Sequence, residues 1–149
     1  LKLYIKDKTT YLKRIFMTNE QIEAIFIEYI KKYDGINNCF GHFKFNTSDR
    51  IGQGGNGIVY SATIDDKCVA IKFLTTDSKK KYLRFKSEFF NTNYVKNKLI
   101  NIVNMIQYDE LKLTDEISIP YIIMSKYEKN LKKYRDTIKN IVIQSIQLI

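Results

Sequence analysis

The sequence predicts an α+β fold, a five-stranded antiparallel sheet with one helix set between its strands. Two observations carry that expectation. From Phe43 to Ser125 the chain reads as β-branched and aromatic runs broken by turn residues, with a single helical stretch inside them. On either side of this block, apolar residues recur instead at helical spacing. The 149 residues are enough for one domain with a core of its own.

The N-terminal side is the first of the helical flanks. Residues 1–17 alternate weakly through Leu1, Leu3 and Ile5 and then turn basic. Thr18 and Gln21 have the spacing of a capping box, and Ile22, Ile25, Phe26, Tyr29 and Ile30 follow on one face. The helix is expected over residues 18–34, with Gly35 as its stop. Its single apolar stripe requires a packing partner. Residues 1–40 are therefore read as a helical N-terminal extension.

The strands follow. "HFKFNTSDRIGQG" is expected as a first strand running into a glycine loop and "GIVYSATI" as a second. Asp65-Asp66 is a two-residue hairpin turn, and "KCVAIKFL" is a third strand. A lysine-rich stretch leads to a helix over residues 79 to 96. "NIVNMIQYDEL" and "ISIPYIIMS" are two more strands around a turn near Thr114-Asp115, with Pro120 marking a strand end or an unpaired edge. Ile138, Ile141, Val142, Ile146 and Ile149 again have helical period.

Charge and cysteines bound the function. The net charge is +9, from 25 Lys and Arg against 16 Asp and Glu. The lysines are scattered, which favours a solvated basic surface over a nucleic-acid footprint, although a phosphate-bearing ligand would gain from the field. No apolar run reaches membrane-spanning length. Cys39 and Cys68 lack metal-type spacing; Cys68, within an apolar run, is expected in the core, and a reducing, cytoplasmic compartment is expected. The chain begins at Leu1, which suggests a piece of a longer protein.

The chemistry lies in "IGQGGNGIVY", residues 51 to 60, with four glycines in six positions. A plain tight turn is one explanation. A dinucleotide-binding turn would open a helix, whereas β-branched residues follow here, and no Gly-Lys-Ser/Thr completes a P-loop. A glycine hairpin covering phosphates fits better, because backbone N–H groups reach phosphate oxygens only where side chains are absent. On the third strand, period two puts Ala70 and Lys72 on one face, leaving room for a flat ligand beside a cation. Glu88 follows Phe85 and precedes Phe89 and Phe90. A carboxylate among aromatics needs a partner, and Lys72 is the expected one.

In order, these motifs resemble the N-terminal lobe of a eukaryotic-like Ser/Thr protein kinase, with its hinge and the start of its C-lobe. G-x-G-x-x-G-x-V is matched by Gly52, Gly54, Gly57 and Val59, and V-A-I-K by Val69 to Lys72. "YLRFKSEFFNTNYV" resembles the family's αC helix, "NIVNMIQY" its fourth strand and "IPYIIMSKY" its fifth strand and hinge. The resemblance implies a kinase-like small lobe over 41–125 and a truncated hinge and C-lobe start over 126–149. It implies that Lys72, paired with Glu88, acts in catalysis on ATP phosphates. ATP-binding positions would be Ile51, Gly52, Gln53, Gly54, Gly55, Asn56, Gly57, Val59, Ala70, Lys72, Met124, Ser125 and Tyr127. Val59 and Ala70 would hold the adenine, Met124 would stand at the gatekeeper position, and Ser125 and Tyr127 would offer hinge backbone. A ribose contact from Glu128 or Asn130 is weaker, because Ser125-Lys126 replaces the usual acid and aromatic.

The pattern also has gaps. No H-R-D with its Asn and no D-F-G occurs; Tyr134-Arg135-Asp136 precedes a helix and is no catalytic loop. The Mg²⁺ ligands are therefore expected elsewhere, in the rest of a C-lobe, and the fragment alone is expected to be inactive. The implied function is transfer of the ATP γ-phosphate to a protein Ser or Thr. A pseudokinase or truncated kinase acting as a regulatory binding module is the alternative, and a small-molecule kinase is a third. The expected partner is a protein substrate, with no nucleic acid, no membrane segment and self-association through an exposed lower surface. The N-terminal helix is expected to dock on the lobe and bias αC.

Overall fold

The computed structural model describes residues 17–55, 57–76, 78–96 and 104–126. The expected helices around residues 138–149, with Asn56, Tyr127, Glu128, Asn130 and the 134–136 triplet, lie outside the described residues.

Helix α1, Asn19–Tyr33, starts where the sequence places it. Thr18 N–H donates to Gln21 Oε1 at 2.9 Å, and Gln21 N–H donates to Thr18 Oγ1 at 3.2 Å, a complete capping box. Asp34 ends the helix in the left-handed region at φ 54°, its N–H donating to Ile30 O. Gly35 follows at φ 128°, where a Cβ would fall 1.9 Å from the Phe43 carbonyl oxygen. Only glycine fits that position.

The strands are β1 Gly35–Asn38, β2 Gly41–Lys44, β3 Arg50–Gly54, β4 Gly57–Ile64, β5 Lys67–Phe73, β6 Met105–Lys112 and β7 Ser118–Ser125. Helix α2 is Lys79–Lys96, between β5 and β6. The β4–β5 turn places Asp65 at φ 49° and Asp66 at φ 61°, closing a two-residue hairpin between Ile64 and Lys67. Pro120 sits one residue past the last β5–β7 pair, Phe73 with Tyr121. Its carbonyl accepts from Leu74 N–H at 3.1 Å, so its missing N–H falls at the end of that ladder.

The expected kinase-like small lobe with a five-stranded sheet is overturned. One antiparallel sheet of seven strands forms instead, in the order β1-β2-β4-β5-β7-β6 with β3 also on β4, and two α-helices accompany it among the described residues. Two local causes account for the difference. Gly35 and Gly41 let residues 35–44 fold into a hairpin within and just after the stretch read as a helical extension. Asn46 and Asp49 then break the expected first strand: Asn46 Oδ1 accepts from Ser48 N–H at 2.9 Å, and Asp49 Oδ2 from Asn46 N–H at 2.8 Å. Because β5 occupies one whole edge of β4, β2 (Lys44 opposite Thr63) and β3 (Arg50 opposite Tyr60) lie end to end along the other.

The sheet curls toward a nearly closed barrel. Its two end strands come within side-chain reach, with Asn38 Nδ2 of β1 donating to Gln107 Oε1 of β6 at 3.1 Å and to Tyr121 Oη at 3.2 Å. Inside, Ile22, Phe26 and Ile30 of α1 share one core with Phe43, Phe45, Tyr60, Ile71, Phe73, Tyr121 and Ile123. Phe26 stacks against Phe73 with ring centroids 4.6 Å apart. The N-terminal helix thus packs on the interior face. Helix α2 lies on the opposite face, where Phe85 meets Leu74, Met105 and Ile122, so any bias of α1 on the second helix would have to pass through the sheet. Cys68, expected in the core, is exposed, as is Cys39. Cys68 belongs to the outward-facing set of β5, next to the hairpin turn.

Candidate nucleotide-binding site

Strand alternation builds the site on the outer face of the sheet. Ile58, Tyr60 and Ala62 of β4 point into the barrel, so Val59 and Ser61 point out. On β5, Val69, Ile71 and Phe73 point in, so Ala70 and Lys72 point out. Cross-strand pairing sets these in rows: Ser61, Ala70 and Met124 in one, and Val59, Lys72 and Ile122 in the next. Val59, Ala70, Lys72 and Met124 are therefore neighbours on one surface.

Lys72 and Glu88, read from the sequence as partners, meet as an ion pair. Lys72 Nζ lies 3.0 and 2.9 Å from the two Glu88 carboxylate oxygens. The side chains are 14% and 37% exposed, so the pair is reachable from solvent on the carboxylate side. The Phe85 ring centroid is 5.6 Å from the ammonium, a cation–π contact that spacing alone did not reveal. Helix α2 brings Glu88 to this place because Phe85 is buried against the sheet and Tyr82 Oη donates to Glu110 Oε1 at 2.7 Å. Ser78 starts the helix, its carbonyl accepting from Tyr82 N–H at 2.9 Å.

The glycine hairpin joins β3 to β4, with Gly54 opposite Gly57. Its glycines differ in what they permit. Gly57, at φ 128°, has no room for a side chain: a Cβ would fall 2.5 Å from Phe73 O and 3.5 Å from Lys72 Cε. Gly57 therefore lets the hairpin lie against the lysine stem. At Gly54 and Gly55 a Cβ would meet nothing within 4 Å. Protein packing does not require glycine at those two positions. Gly52 rests near Val59, and Ile51 is exposed at a bulge in β3.

At the other end of the platform, Met124 is half-buried, opposite Met105. Ser125 N–H donates to the Asn104 carbonyl at 2.9 Å, so that donor is committed within the fold. Lys126 reaches back across β5, its Nζ donating to Ser61 Oγ at 2.9 Å. A cavity of about 30 Å³, lined by Leu74, Lys81, Arg84, Phe85 and Glu88, has room for a single water. Among the described residues no group of three or more His, Cys, Asp or Glu gathers to hold a metal, and no helix is long and apolar enough to cross a membrane.

Sequence reasoning missed Phe85 beneath the ammonium, Asn104, Lys126 with Ser61, and Arg50. Arg50 Nη2 donates to Glu23 Oε1 at 2.9 Å, and its Nη1 donates to Gln53 Oε1 at 2.7 Å. The Glu23 contact spans 27 positions, a separation at which no sequence pattern signals a pair. No protein-family model and no curated protein matches the sequence.

Proposed function

We propose that this chain supplies the ATP-binding part of a protein kinase that transfers the γ-phosphate to Ser or Thr of a protein substrate. The observation that carries this reading is the Lys72–Glu88 ion pair, set beside a glycine hairpin on the same sheet face as Val59, Ala70 and Met124. It rests on this constellation and the motif resemblance, and needs no five-stranded sheet.

Each residue then has a physical role. Val59 and Ala70 give the adenine an apolar bed, with Met124 bounding its inner end. Glu88 fixes the Lys72 ammonium, which keeps further N–H donors for α- and β-phosphate oxygens. Backbone N–H groups around Gly54 and Gly55 close over the phosphates without a side chain in the way. Phosphoryl transfer also needs an acid to orient the hydroxyl nucleophile and acidic or amide ligands for Mg²⁺. The sequence contains neither motif, so both would come from residues beyond these 149.

The test is binding of a fluorescent ATP analogue to the full chain and to Lys72→Met, with unlabelled ATP as competitor. Competable binding that weakens at least about tenfold in the variant supports the proposal, since a charged hydrogen bond contributes about 1.5–3 kcal/mol. Folded wild-type protein that binds no ATP overturns it. Transfer of label from ATP to protein by a longer chain carrying this segment would separate a kinase from a module that only binds nucleotide.

A further inference from the structure

We infer that Arg50 is a positioning residue that ties the glycine hairpin to α1, so that the N-terminal helix sets where the hairpin stands over the phosphates. The functional half of this inference rests on the ATP-binding reading; the mechanical half does not.

The β3 arm of the hairpin has little else to hold it. In the strand order β3 lies off the main path and is paired with β4, through a ladder whose register shifts between Arg50 and Gly52. Its tip, at Gly54 and Gly55, has nothing close enough to meet a side chain. Against this open ladder, one guanidinium makes a forked contact at the base of the flap. One arm binds Glu23, on the second turn of α1, and the other binds Gln53, between Gly52 and Gly54. The fork is fixed in turn: the Arg50 guanidinium carbon stands 6.0 Å from the centre of the buried Tyr60 ring. Arg50 and Glu23 are about one-third exposed, at 32% and 29%, so their attraction is only partly screened. Burial is the largest single influence on the Arg50 charge and works against it, but the hydrogen bond and attraction to Glu23 together with the Tyr60 contacts outweigh it, and the guanidinium is held above its ordinary value.

Helix α1 itself cannot move freely, because Ile22 and Phe26, which flank Glu23, are locked in the barrel core. Rigidity therefore passes from the core through Glu23 and Arg50 to Gln53. A planar, two-armed donor is required, since lysine offers a point charge and cannot hold both oxygens in one plane. Arg50 need not touch the nucleotide; it acts by holding the backbone that does.

The first measurement is amide hydrogen exchange on the ligand-free full chain, comparing wild type with Arg50→Gln and Glu23→Gln. The expected result is exchange about three- to tenfold faster at residues 53–58 in both variants, with the β5 and β7 amides unchanged. Unchanged exchange at 53–58 in both overturns the inference, whether or not ATP binds. Faster exchange throughout the sheet also overturns it, because Arg50 would then be a general stabiliser. The second measurement compares ATP with adenosine on the same proteins. Arg50→Gln should weaken ATP about threefold or more while leaving adenosine unchanged, and Arg50→Lys should not restore it. Equal weakening of both ligands overturns the positioning role. If wild type binds no ATP while the exchange result holds, the function proposed above fails and the brace stands.

Discussion

Along β5, Val69, Ile71 and Phe73 face the barrel interior while Ala70 and Lys72, and Leu74 just past the strand, face out. The two surfaces are separated by one strand thickness and differ in kind. The inner one is closed by α1 and packed with aromatic rings, Phe26 and Phe45 each lying 4.6–5.9 Å from Tyr60 and Phe73, which are 6.0 Å apart. The outer one is covered by α2 near Leu74 and Ile122 and left open along Val59 and the glycine hairpin. Stability is concentrated on one side, and the polar chemistry stands on the other. Period-two alternation allows this division, because each strand contributes to both surfaces without compromise.

The largest test of that division is Phe26→Ala. It should destabilise the chain by about 3–5 kcal/mol in a denaturant titration, as truncation of a fully buried ring does. A loss under about 1 kcal/mol would mean that α1 is not part of the core.

Next comes a contrast within the hairpin. Gly57→Ala should destabilise by about 1–3 kcal/mol, from its positive φ and the clash with Phe73 O. Gly55→Ala should change stability by less than about 1 kcal/mol and, on the proposed function, act on ATP affinity instead. Equal stability losses at both positions would erase the distinction between a structural and a ligand-facing glycine.

Alkaline pH probes how dry each side is. Burial raises the Tyr60 and Tyr121 phenols on the inner side and Tyr108 on the outer. A raised folded-state pKa means that the neutral phenol is favoured by folding. That stability is fully present below the unfolded value of about 10 and is lost as pH rises through the folded value. Thermal melts should therefore fall from about pH 10 upward, and Tyr108→Phe should flatten part of that fall. If it flattens nothing, water reaches the space under α2, and the outer face is wet throughout.

The smallest effect is at the β4–β5 turn, far from both surfaces. Asp66→Gly should stabilise by no more than about 1 kcal/mol, since glycine meets the left-handed conformation without strain. A change in ATP affinity there would show that the turn and the site are coupled.

Local chemistry was legible in the sequence wherever the signal itself is local. The capping box at Thr18, the Asp65-Asp66 turn and the helix over 79–96 are all set by neighbours within a few positions. The meeting of Lys72 and Glu88 was legible for a related reason: a lone carboxylate among Phe85, Phe89 and Phe90 demands a cation, and strand parity had placed one facing it. Sequence reasoning failed where a short hairpin or a distant contact decided the outcome. Residues 35–44 carry too few apolar positions to announce strands, and they pair because α1 and the curled sheet give Ile36 and Phe43 a core to enter. Cys68 sits in an apolar run yet is exposed, because parity turned it to the outer face where that face ends.

The sequence by itself determined the capping box of α1, the Asp65-Asp66 turn, the inward and outward sets of β5, and the presence of a glycine hairpin beside a lysine. Only the tertiary structure decided that seven strands curl toward a barrel, that α1 fills its interior, and that Arg50 links that helix to the hairpin. The physical reason is range. Backbone propensity and capping act over three or four residues and are written in order along the chain, whereas closure of the sheet and the Glu23–Arg50–Gln53 fork depend on surfaces that exist only once the core has formed.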